Sequence, residues 1–584
     1  MIIRKLHIKG FRNYRDTVIR FEDKNLIIGA NDVGKTNMLY ALRLLFDKSI
    51  SEKDLELVES DYYAYEDTPS VEITAYIEEA TEECLVSAFR GNLIDNKIVI
   101  RYVNDRDGNY QLLVGGTDEL LEEQTGRYYI KYLNMQYVDT NRDLHAFLKR
   151  ERNEILRISK SMMSEPDLIH DEEKMNEIQD DLNSVNSKVN ELHYIERALS
   201  SVNSELESMS AKNEGMQVKF VAGQSDAGKM MDNLCLAYAD EDNFLSVGGD
   251  GRNNQVFIST WVAKQNIQRA VDHVTFYAIE EPEAHLHPHQ QRKLSEYILN
   301  QFEEQVFITS HSPQIATRFD PEKIIRLFQS EKNTKAAGGG INCKIQEAFA
   351  SFGYRLNIIS AETFFSDGVF LVEGTSETIL YNSLAFQNGI DLDKYNLSVL
   401  SVEGVGFKPY VAVCEALGIP FVLRTDNDIF RKTKDGASIE YYAGVSRAVS
   451  IAELMDGTEE IVTFLNSNTD KNEWLLGSKS IENSDFNQTI REKLETVGIF
   501  LSDVDLETDL ANSGLQEELL NFYGATGIAS LIEKMQQRKA ENMRAFILDE
   551  NTDLSILGND NLLKPIKVLK NKIVEMGDIH EANN

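Results

Sequence analysis

Cysteine is scarce in this sequence and is never clustered. Only 4 of the 584 residues are cysteine, and none forms a C-x-x-C pair. Neither a disulfide framework nor a zinc knuckle is therefore supported. The sequence also lacks any apolar run close to the roughly 20 residues that span a bilayer, and its first residues carry no signal-peptide apolar core. We expect a cytoplasmic protein in a reducing compartment, with no membrane partner.

A positive net charge is also missing. The chain carries 60 Lys and Arg against 95 Asp and Glu, a formal net charge of −35. This argues against a protein that coats nucleic acid or anionic membranes by bulk charge. A local basic strip remains compatible with it, because salt screens charges beyond about 8–10 Å. One candidate strip is formed by Lys564, Lys567, Lys570 and Lys572, with a solvated helix face as the alternative.

The character of the chain changes several times along its length. The length predicts two to four domains. Short alternating strands dominate residues 1–149, and a charged helical pattern follows over 150–211. Strands and helices return over 212–343, which ends in a polar, Gly-rich stretch at 329–343 that is typical of a linker. A second alternation of strands and helices fills 344–584, the pattern of another α/β domain.

The helical segment has a regular apolar seam. Its apolar residues recur at spacings of three and four with one slip, at Met175, Ile178, Leu182, Val185, Val189, Leu192, Ile195, Leu199, Val202, Leu206 and Met209. Such spacing is typical of a coiled coil. One amphipathic helix lying on a core is the alternative, but the length favours a helical arm or a dimerisation module.

Residues 29–36 (GANDVGKT) match the phosphate-binding pattern G-x-x-x-x-G-K-[ST]. They follow an apolar strand at 26–28 and open a helix, which is the context that this P-loop pattern requires. The backbone N–H groups of such a loop surround phosphates at a helix N-terminus. Lys35 would reach the β- and γ-phosphates, and Thr36 would bind Mg²⁺. The predicted ATP ligands in the loop are Gly29, Asn31, Gly34, Lys35 and Thr36.

Two further apolar strands end in residues that suit ATP chemistry. The strand over 274–279 ends in Glu280 and Glu281, where P-loop enzymes place the acid that holds Mg²⁺. Glu280 would take that role, and Glu281 would polarise the attacking water. The strand over 306–309 leads to His311, which would sense the γ-phosphate.

Three histidines follow the acidic strand and offer a competing interpretation. His285, His287 and His289 resemble a metal cluster. Their spacing of two residues, with Pro288 between the last two, fits no helix face. We therefore interpret the stretch as a loop of the ATPase rather than a zinc site.

The order of these elements resembles that of ABC-type ATPases of the SMC and RecF kind. A Ser-Gly-Gly segment with Ser246 and Gly248 lies between the P-loop and the acidic strand, and Arg12 stands in an opening G-F-R-N-Y that is similar to that group. The resemblance implies that Arg12 lies near the nucleotide. It also implies a dimer, in which the Ser-Gly-Gly segment of one subunit completes the ATP site of the other. Gln136 is either the Mg²⁺-linked glutamine of such enzymes or a loop residue, and the Glu-Glu pair departs from their more usual Asp-Glu.

A second acidic constellation lies in the C-terminal half. An apolar strand ends in Glu373, and a strand over 420–425 ends in Asp426-Asn427-Asp428. The carboxyl ends of parallel strands meet at one sheet edge, where ligands bind. Carboxylates gathered there repel one another, and bound divalent metal is the usual resolution. An isolated Asp-x-Asp is more often a solvated turn, but here both acidic groups follow apolar strands, and the arrangement resembles a TOPRIM domain.

An ABC-type ATPase interrupted by helices and followed by a TOPRIM domain resembles the OLD (overcoming lysogenisation defect) family, including Gabija-type and retron-associated nucleases. The resemblance implies metal-dependent cutting or nicking of DNA, with two Mg²⁺ or Mn²⁺ per nuclease site besides ATP and its Mg²⁺. The acids that match the metal-binding positions of the family are Glu373, Glu377, Asp426, Asp428, Asp505 and Glu507. Lys539 matches its active-site lysine, which would stabilise the transition-state phosphate as a fixed cation. His311 matches a histidine that is important to nuclease function in the family.

These observations predict an α/β multidomain fold. We expect an ABC/SMC-type ATPase over 1–149 and 212–343, a helical dimerisation insertion over 150–211, and a TOPRIM domain with C-terminal helices over 344–584. The expected function is a nucleotide-regulated, metal-dependent endonuclease of double-stranded DNA in anti-phage defence, acting as a homodimer or higher homo-oligomer. An accessory helicase, or a reverse transcriptase with retron RNA and DNA, is a further expected partner. A RecF- or SMC-like repair ATPase that does not cut DNA and an ATP-gated assembly scaffold are the alternatives.

Overall fold

The computed structural model describes most of the chain. The described residues are 1–139, 153, 156–209, 217–220, 226–232, 234, 238–240, 243–245, 256, 259–260, 273–284, 286–341, 361–403, 406–475 and 483–577. The chain divides into two compact units: Met1–Thr140 with Asp272–Glu283 and Pro288–Asn584, and Asn141–Val271 with Ala284–His287. The first unit contains both the P-loop and the C-terminal acids. The predicted domain boundaries at 149, 211 and 343 all lie outside the described residues and stay predictions.

The first unit begins with eight strands and two helices. The strands are β1 Ile2–Phe11, β2 Tyr14–Arg20, β3 Lys24–Ile28, β4 Ser70–Glu78, β5 Ile98–Asp105, β6 Tyr110–Gly115, β7 Glu122–Gln124 and β8 Leu133–Val138. The helices are α1 Lys35–Phe46 and α2 Glu83–Ala88. Every residue of β3 is buried, whereas exposed residues recur along β2. This pattern makes β3 a central strand and β2 a peripheral one.

The second unit is helical over its longest described segment. Its elements are α3 Glu165–Asn190, α4 His193–Met209, α5 Ala227–Asp232 and the antiparallel pair β9 Tyr238–Asp240 and β10 Asn243–Leu245. The predicted helical character is confirmed, but α3 and α4 are separate helices with a break after Asn190. The helix α3 buries none of its residues, and the seam residue Val185 is 48% exposed. The seam residue Leu199 of α4, by contrast, is only 8% exposed, so the described part of the seam is covered at some positions and open at others.

The remaining N-terminal elements return to the first unit. They are β11 Val274–Glu280, α6 Pro288–Gln301, β12 Val306–Thr309, α7 Pro313–Ala316, β13 Ile324–Ser330 and β14 Asn333–Ala336. One sheet has the antiparallel order β2-β1-β4-β5-β6-β7. The other has the order β14-β13-β3-β12-β11-β8, parallel except for the β13–β14 pair. A single hydrophobic core contains residues of both sheets and of α1. The carboxyl ends of β3, β11 and β12 thus share one edge, which brings the P-loop, the acidic pair and His311 together.

The C-terminal half of the first unit is built on a second parallel sheet. Its strands are β15 Gly368–Val372, β16 Leu397–Ser401, β17 Phe421–Thr425, β18 Ile429–Lys434, β19 Ala437–Tyr442, β20 Glu473–Leu475 and β21 Ile499–Leu501. The first helices are α8 Thr375–Gln387, α9 Phe407–Leu417, α10 Ala443–Ala452, α11 Glu459–Asn466, α12 Thr469–Asn472 and α13 Asn483–Thr496. The last are α14 Leu506–Ala511, α15 Gln516–Tyr523, α16 Ile528–Gln536, α17 Lys539–Ile547 and α18 Lys564–Gly577. The parallel order is β16-β15-β17-β21, and β18-β19-β20 form a separate antiparallel sheet.

The stretch that composition predicts as a linker is folded over its described part, and that prediction is wrong. The strand β14 pairs with β13 along its whole length, and the turn between them holds Glu331 and Lys332 at φ 53° and 62°. Gly340 has φ 98° and forms a bridge with Arg20. A Cβ at Gly340 would lie 2.5 Å from the Arg20 backbone nitrogen. The glycine serves close packing here and not chain flexibility.

A buried arginine joins the two halves of the first unit. Arg326 of β13 is 5% exposed. Its Nη1 donates to the carbonyl oxygens of Leu417 at 3.3 Å and Gly418 at 3.2 Å, and its Nη2 donates to that of Ser366 at 3.3 Å. Leu417 ends α9, shortly before β17 begins. The contact therefore ties the sheet that carries the P-loop to the strand that carries Asp426.

Candidate active sites

The P-loop packs too tightly for side chains at its glycines. Gly34 has φ 108°, and a Cβ there would lie 2.3 Å from Asn13 Nδ2. Lys35 is 7% exposed and donates from Nζ to the carbonyl oxygen of Ala30 at 2.8 Å. Burial lowers the pKa of Lys35 to about 8, against the opposing effect of nearby carboxylates. The loop thus holds an amine at the N-terminus of α1, where phosphate oxygens are stabilised.

A short hydrogen-bond network braces the P-loop from outside. Asn13 Nδ2 donates to the carbonyl oxygen of Val33 at 2.9 Å and to Thr334 Oγ1 at 2.7 Å. The Thr334 hydroxyl donates to the same carbonyl at 2.7 Å, and the Tyr14 hydroxyl donates to that of Gly34 at 2.9 Å. Thr334 lies in β14, so its role was hidden by the polar composition that indicated a linker.

Arg12 is held at the rim of the same site. Its Nε donates to Asp61 Oδ1 at 2.9 Å, and its Nη1 donates to Asn37 Oδ1 at 2.7 Å. The guanidinium carbon lies 4.5 Å from the ring centre of Tyr40. Because Asn37 and Tyr40 belong to α1, the arginine is anchored to the helix that follows the P-loop.

Glu280 lies at the end of β11 and contacts the P-loop directly. The Thr36 hydroxyl donates to Glu280 Oε1, and the Tyr137 hydroxyl donates to Glu280 Oε2. Burial and the Glu280 carboxylate raise the pKa of Tyr137. The neighbouring Gln136 belongs to strand β8, so the alternative of a loop residue is wrong. Tyr137 was missed by sequence reasoning, since a tyrosine near a strand end carries no signal of its own.

Glu281 and His311 form the far wall of the site. His311 Nε2 lies 3.2 Å from Glu281 Oε1, and Glu281 has φ 42°. Burial and the Lys35 ammonium lower the pKa of His311. The half-buried Glu283 accepts hydrogen bonds from the Ser310 hydroxyl at 2.6 Å and the His311 backbone N–H at 2.8 Å. Glu283 therefore positions the backbone that carries the histidine, a role that sequence reasoning missed.

These residues line a cleft of about 870 Å³. Its lining includes the predicted residues Arg12, Asn31, Gly34, Lys35, Thr36, Glu281 and His311. Glu280 and Gly29 lie beside this cleft. Glu280 accepts a hydrogen bond from the Thr36 hydroxyl, and the carbonyl oxygen of Gly29 accepts one from Lys35 Nζ. Ser246 and Gly248 lie outside the described residues. The size and the mixed polar lining suit a nucleoside triphosphate.

The C-terminal acids meet at the carboxyl edge of the second parallel sheet. Glu373 follows β15 and Asp426 follows the neighbouring strand β17. Glu373 Oε1 accepts hydrogen bonds from the Asp426 backbone N–H at 3.0 Å and from the Thr425 hydroxyl at 2.5 Å. Arg447 Nη1 of α10 contacts both Glu373 Oε1 and Thr425 Oγ1. Sequence reasoning missed Arg447, because no acidic or glycine motif marks the helix that carries it.

Glu377 and Asp426 carry strongly perturbed carboxyl groups. Burial, together with Glu373 and Glu377, raises the pKa of Asp426 to about 8, against the Lys539 ammonium. Burial raises the pKa of Glu377 to about 7, although its Oε2 accepts a 2.6 Å hydrogen bond from the Gly374 backbone N–H. The other oxygen, Glu377 Oε1, is buried with no hydrogen-bond partner. The negative charge at this sheet edge is therefore only partly compensated by the neighbouring cations and hydrogen-bond donors of the chain.

The remaining acids are Asp428, directly before β18, and Asp505 and Glu507, at the start of α14. Burial, Asp505 and Glu373 raise the pKa of Asp428. Asp505 is already engaged, since its Oδ1 caps α14 at the Thr508 backbone N–H at 2.8 Å. Glu507 is buried and accepts a 2.8 Å hydrogen bond from Lys539 Nζ. All the predicted nuclease residues thus meet in one neighbourhood, except His311, which lies in the nucleotide cleft.

Two known protein families match this chain, one in each half. The family described as "AAA ATPase domain" matches residues 1–165 and 128–316, more than half of the chain. The family described as "Overcoming lysogenization defect protein-like, TOPRIM domain" matches residues 364–428. The chain belongs to the OLD family of ATPase/TOPRIM nucleases. The predicted fold class, a P-loop ATPase followed by a TOPRIM domain, is confirmed.

Individual relatives of this OLD-family chain align over most of their length. Endonuclease GajA of Bacillus cereus strain VD045 is 28% identical over 531 residues, covering 86% of this chain and 88% of that protein. OLD nuclease of Thermus scotoductus is 23% identical over 454 residues, covering 74% and 82%. Among solved structures, the SMC head bound to the C-terminal winged-helix domain of ScpA is 18% identical and covers 57% of this chain and 97% of that one, with a TM-score of 0.34.

The donor set of the TOPRIM half fits hard divalent cations. Every candidate ligand is a carboxylate, as Mg²⁺ and Mn²⁺ prefer, and Glu377 Oε1 is a buried acceptor without a partner. Across the described ranges no three His, Cys, Asp or Glu side chains already converge as a metal-binding group. His285 lies outside those ranges, so the loop interpretation of the histidine stretch stays a prediction. Arg447 forms an ion pair with Glu373, and Lys539 forms an ion pair with Glu507. The residues that would hold metal are Glu373, Glu377, Asp426, Asp428, Asp505 and Glu507.

Replacing Gly34 by alanine should weaken ATP binding by roughly 5- to 150-fold. The new Cβ would be strained at φ 108° and would displace Asn13, and strain of this kind costs about 1–3 kcal/mol. Titration with a fluorescent ATP analogue measures the change. Gly91→Ala is the matched control, because a Cβ there would meet nothing within 4 Å. Equal affinity in the Gly34→Ala variant would contradict the geometry described for the loop.

Replacing Glu377 by glutamine should stabilise the protein at pH 8 in EDTA. Folding raises the pKa of Glu377 to about 7, so the folded state favours the protonated acid and loses stability as pH rises through 7. The variant should gain about 2–3 kcal/mol in the free energy of unfolding at pH 8. The gain should vanish at about pH 3.5, roughly one unit below the ordinary pKa of a glutamate, where the acid is protonated in both states.

Urea unfolding at the two pH values tests this expectation. The exposed Glu517 in the first turn of α15 supplies the control variant Glu517→Gln. A Glu377→Gln variant less stable than the original protein at pH 8 would show that the carboxylate is compensated.

Proposed function

We propose that this OLD-family chain is a nucleotide-regulated, divalent-metal-dependent endonuclease of double-stranded DNA that acts in anti-phage defence. The observation that carries the proposal is the undercompensated carboxylate edge of the TOPRIM sheet, with Lys539 beside it. The names of two relatives agree with this proposal, since one is called an endonuclease and another an OLD nuclease. The same compact unit contains a P-loop cleft of nucleotide size.

Each side chain at the sheet edge would have a separate role in phosphodiester hydrolysis. When bound, two divalent cations would activate water and clamp the oxygens of an in-line displacement. Glu373 and Asp426 would hold them from adjacent strands, with Glu377 and Asp428 beside them. Lys539, anchored on Glu507, would place a cation against the transition-state phosphate. Arg447 orients Glu373 through their direct contact.

The residues of the nucleotide cleft would likewise have separate roles in ATP binding. Lys35 and the N-terminus of α1 would hold the phosphates, with Arg12 at the rim. Thr36 and Glu280 would bind the Mg²⁺ that accompanies ATP. Glu281 would polarise the attacking water, and its partner His311 would sense the γ-phosphate.

Regulation and assembly follow as further parts of the proposal. The Arg326 contact supports nucleotide control, because it links the P-loop sheet to the strand that carries Asp426. The apolar seam of α3 and α4 supports a homodimer or a higher oligomer. A helicase, or a reverse transcriptase with retron RNA and DNA, is the proposed accessory partner, and the proposed compartment is the cytoplasm. None of the helices that the structure describes has the length and apolarity needed to cross a bilayer.

A repair ATPase that binds DNA without cutting it is the second candidate. DNA replication and repair protein RecF of a Synechococcus strain is 34% identical over 104 residues, covering 17% of this chain. This candidate assigns no role to the C-terminal acids. DNA-stimulated ATP hydrolysis without cleavage in any divalent metal would favour it over the endonuclease.

Asp426→Asn and Glu373→Gln should each lower plasmid cleavage at least about 100-fold, because each removes a proposed metal ligand at the reacting phosphate. Gel analysis of plasmid cutting in Mg²⁺ and Mn²⁺ measures this loss. ATP hydrolysis should be unchanged, which shows that the variants fold. Asp393→Asn, at an exposed acid of the same half, should cut like the original protein. Cleavage retained by both site variants would overturn the assignment.

Nucleotide should change the rate of DNA cutting by at least about fivefold, the lower range of allosteric couplings. Cleavage rates are compared without nucleotide and with ATP, ADP or a non-hydrolysable analogue. Lys35→Ala should lose the response, whereas Lys335→Ala, on the exterior of β14, should keep it. Equal rates under all four conditions would refute nucleotide control.

A further inference from the structure

The strand β18 leaves the carboxylate site without joining any core. It begins directly after Asp428, and all of its residues, Ile429–Lys434, are exposed. It forms one edge of the β18-β19-β20 sheet, and its outer side pairs with no strand in the part of the chain that the structure describes. Exposed edge strands usually carry charge or are covered by another molecule.

One face of this strand combines an aromatic ring with two cations. In the pairing with β19, Phe430 lies opposite Tyr441 and Lys432 opposite Ile439. Alternation along the strand places Phe430, Lys432 and Lys434 on the same face. Phe430 is 50% exposed, and Lys432 Nζ lies 4.6 Å from the Tyr441 ring centre. We call Phe430, Lys432 and Lys434 the β18 face.

The cations of the β18 face are only partly neutralised. Lys432 and Lys434 share one carboxylate, Glu473, at 2.7 Å and 2.9 Å. The lysine side chains remain 41% and 54% exposed, whereas that of Glu473 is 14% exposed. Two accessible ammonium groups thus face solvent over one recessed carboxylate. Glu473, followed by Asp435 and Asp470, raises the pKa of Lys434, so further acids lie beside these cations.

The lysines of α18, which composition marked as a candidate strip, differ from this pattern. Lys564 pairs with Glu495, and Lys567 donates to the carbonyl oxygen of Gly558 at 2.6 Å. Lys570 lies over the Tyr395 ring, and Lys572 is half-buried. The β18 face differs from this strip in two ways: both of its lysines share one carboxylate, and its strand begins directly after Asp428.

The position of the β18 face matches a polymer that leaves the nuclease site. A strand rises about 3.4 Å per residue, so Lys434 lies up to about 20 Å from Asp428. That span corresponds to about six base pairs of duplex at about 3.4 Å each. The lysines alternate at about 7 Å, and an exposed aromatic ring beside them packs on sugars and unstacked bases.

We propose that the β18 face binds the DNA backbone next to the scissile phosphate, with Lys432 and Lys434 on phosphates and Phe430 against a sugar or an exposed base. This inference rests on the proposed endonuclease function and names the surface that would guide its substrate. In a chain of net charge −35, such a local cationic face supplies the attraction that bulk charge does not.

The test measures binding of a fluorescein-labelled duplex of about 30 base pairs to the full chain by anisotropy, with Ca²⁺ in place of Mg²⁺. The main variant, K432A/K434A/E473Q, removes both cations without leaving their carboxylate unpaired. It should weaken binding roughly tenfold and lower the salt slope by about two, one for each lost phosphate contact. F430A should weaken binding a few-fold with an unchanged slope. E473Q alone should bind at least as tightly as the original protein, because it frees both lysines.

Matched controls come from exposed lysines that also pair with one glutamate. Lys97 pairs with Glu78 and Lys293 with Glu296, and K97A/K293A should leave affinity and slope unchanged. Unchanged ATP hydrolysis shows that each variant folds. Original affinity and slope in K432A/K434A/E473Q, with DNA still bound and cut by the original protein, would overturn the β18 face alone. An original protein that neither binds nor cuts DNA would overturn the proposed function as well.

Discussion

Mutual repulsion of carboxylates at the end of β15 and β17 is the constraint on which the C-terminal half depends. Burial, reinforced by the nearby Glu373 carboxylate, raises the pKa of both Glu377 and Asp426. Arg447 and Lys539 offset part of this charge by direct contacts with Glu373 and Glu507. The sheet edge is therefore stable only as a balance of acids and cations. A phosphate approaching it adds further negative charge, so binding depends on cations at the same place.

The nucleotide cleft has the opposite charge balance, with positive potential at its centre. Lys35 and the N-terminus of α1 concentrate positive potential, and Glu280, Glu281 and His311 limit it from the neighbouring strands. Burial lowers the pKa of Lys35 to about 8, so bound phosphate would favour its protonated form. The two sites of the first unit are thus complementary in charge, although both lie at the carboxyl edge of a parallel sheet.

Local patterns in the sequence were sufficient to place the main elements of both sites. The P-loop, the Glu280-Glu281 pair and the Asp426-x-Asp428 acids each follow a buried strand, and parallel strands bring such ends together regardless of intervening length. Partners supplied by distant segments carried no such signal. Tyr137, Thr334 and Arg447 are ordinary residues in their own elements, and only tertiary packing brings them to Glu280, the P-loop and Glu373. The Gly-rich stretch misled for a related reason, because composition cannot distinguish a mobile glycine from one that packs closely, as Gly340 does.

The Arg326 junction has a consequence for how the two halves can change in sequence. Its acceptors are the main-chain carbonyl groups of Ser366, Leu417 and Gly418. Every amino acid supplies a carbonyl group, so these hydrogen bonds do not depend on side-chain identity. The burial of Ser366 and Leu417 and the φ of 60° at Gly418 are separate restrictions on what fits there. The arginine itself has no comparable freedom. A nuclease half can therefore diverge in evolution while remaining attached to the same ATPase.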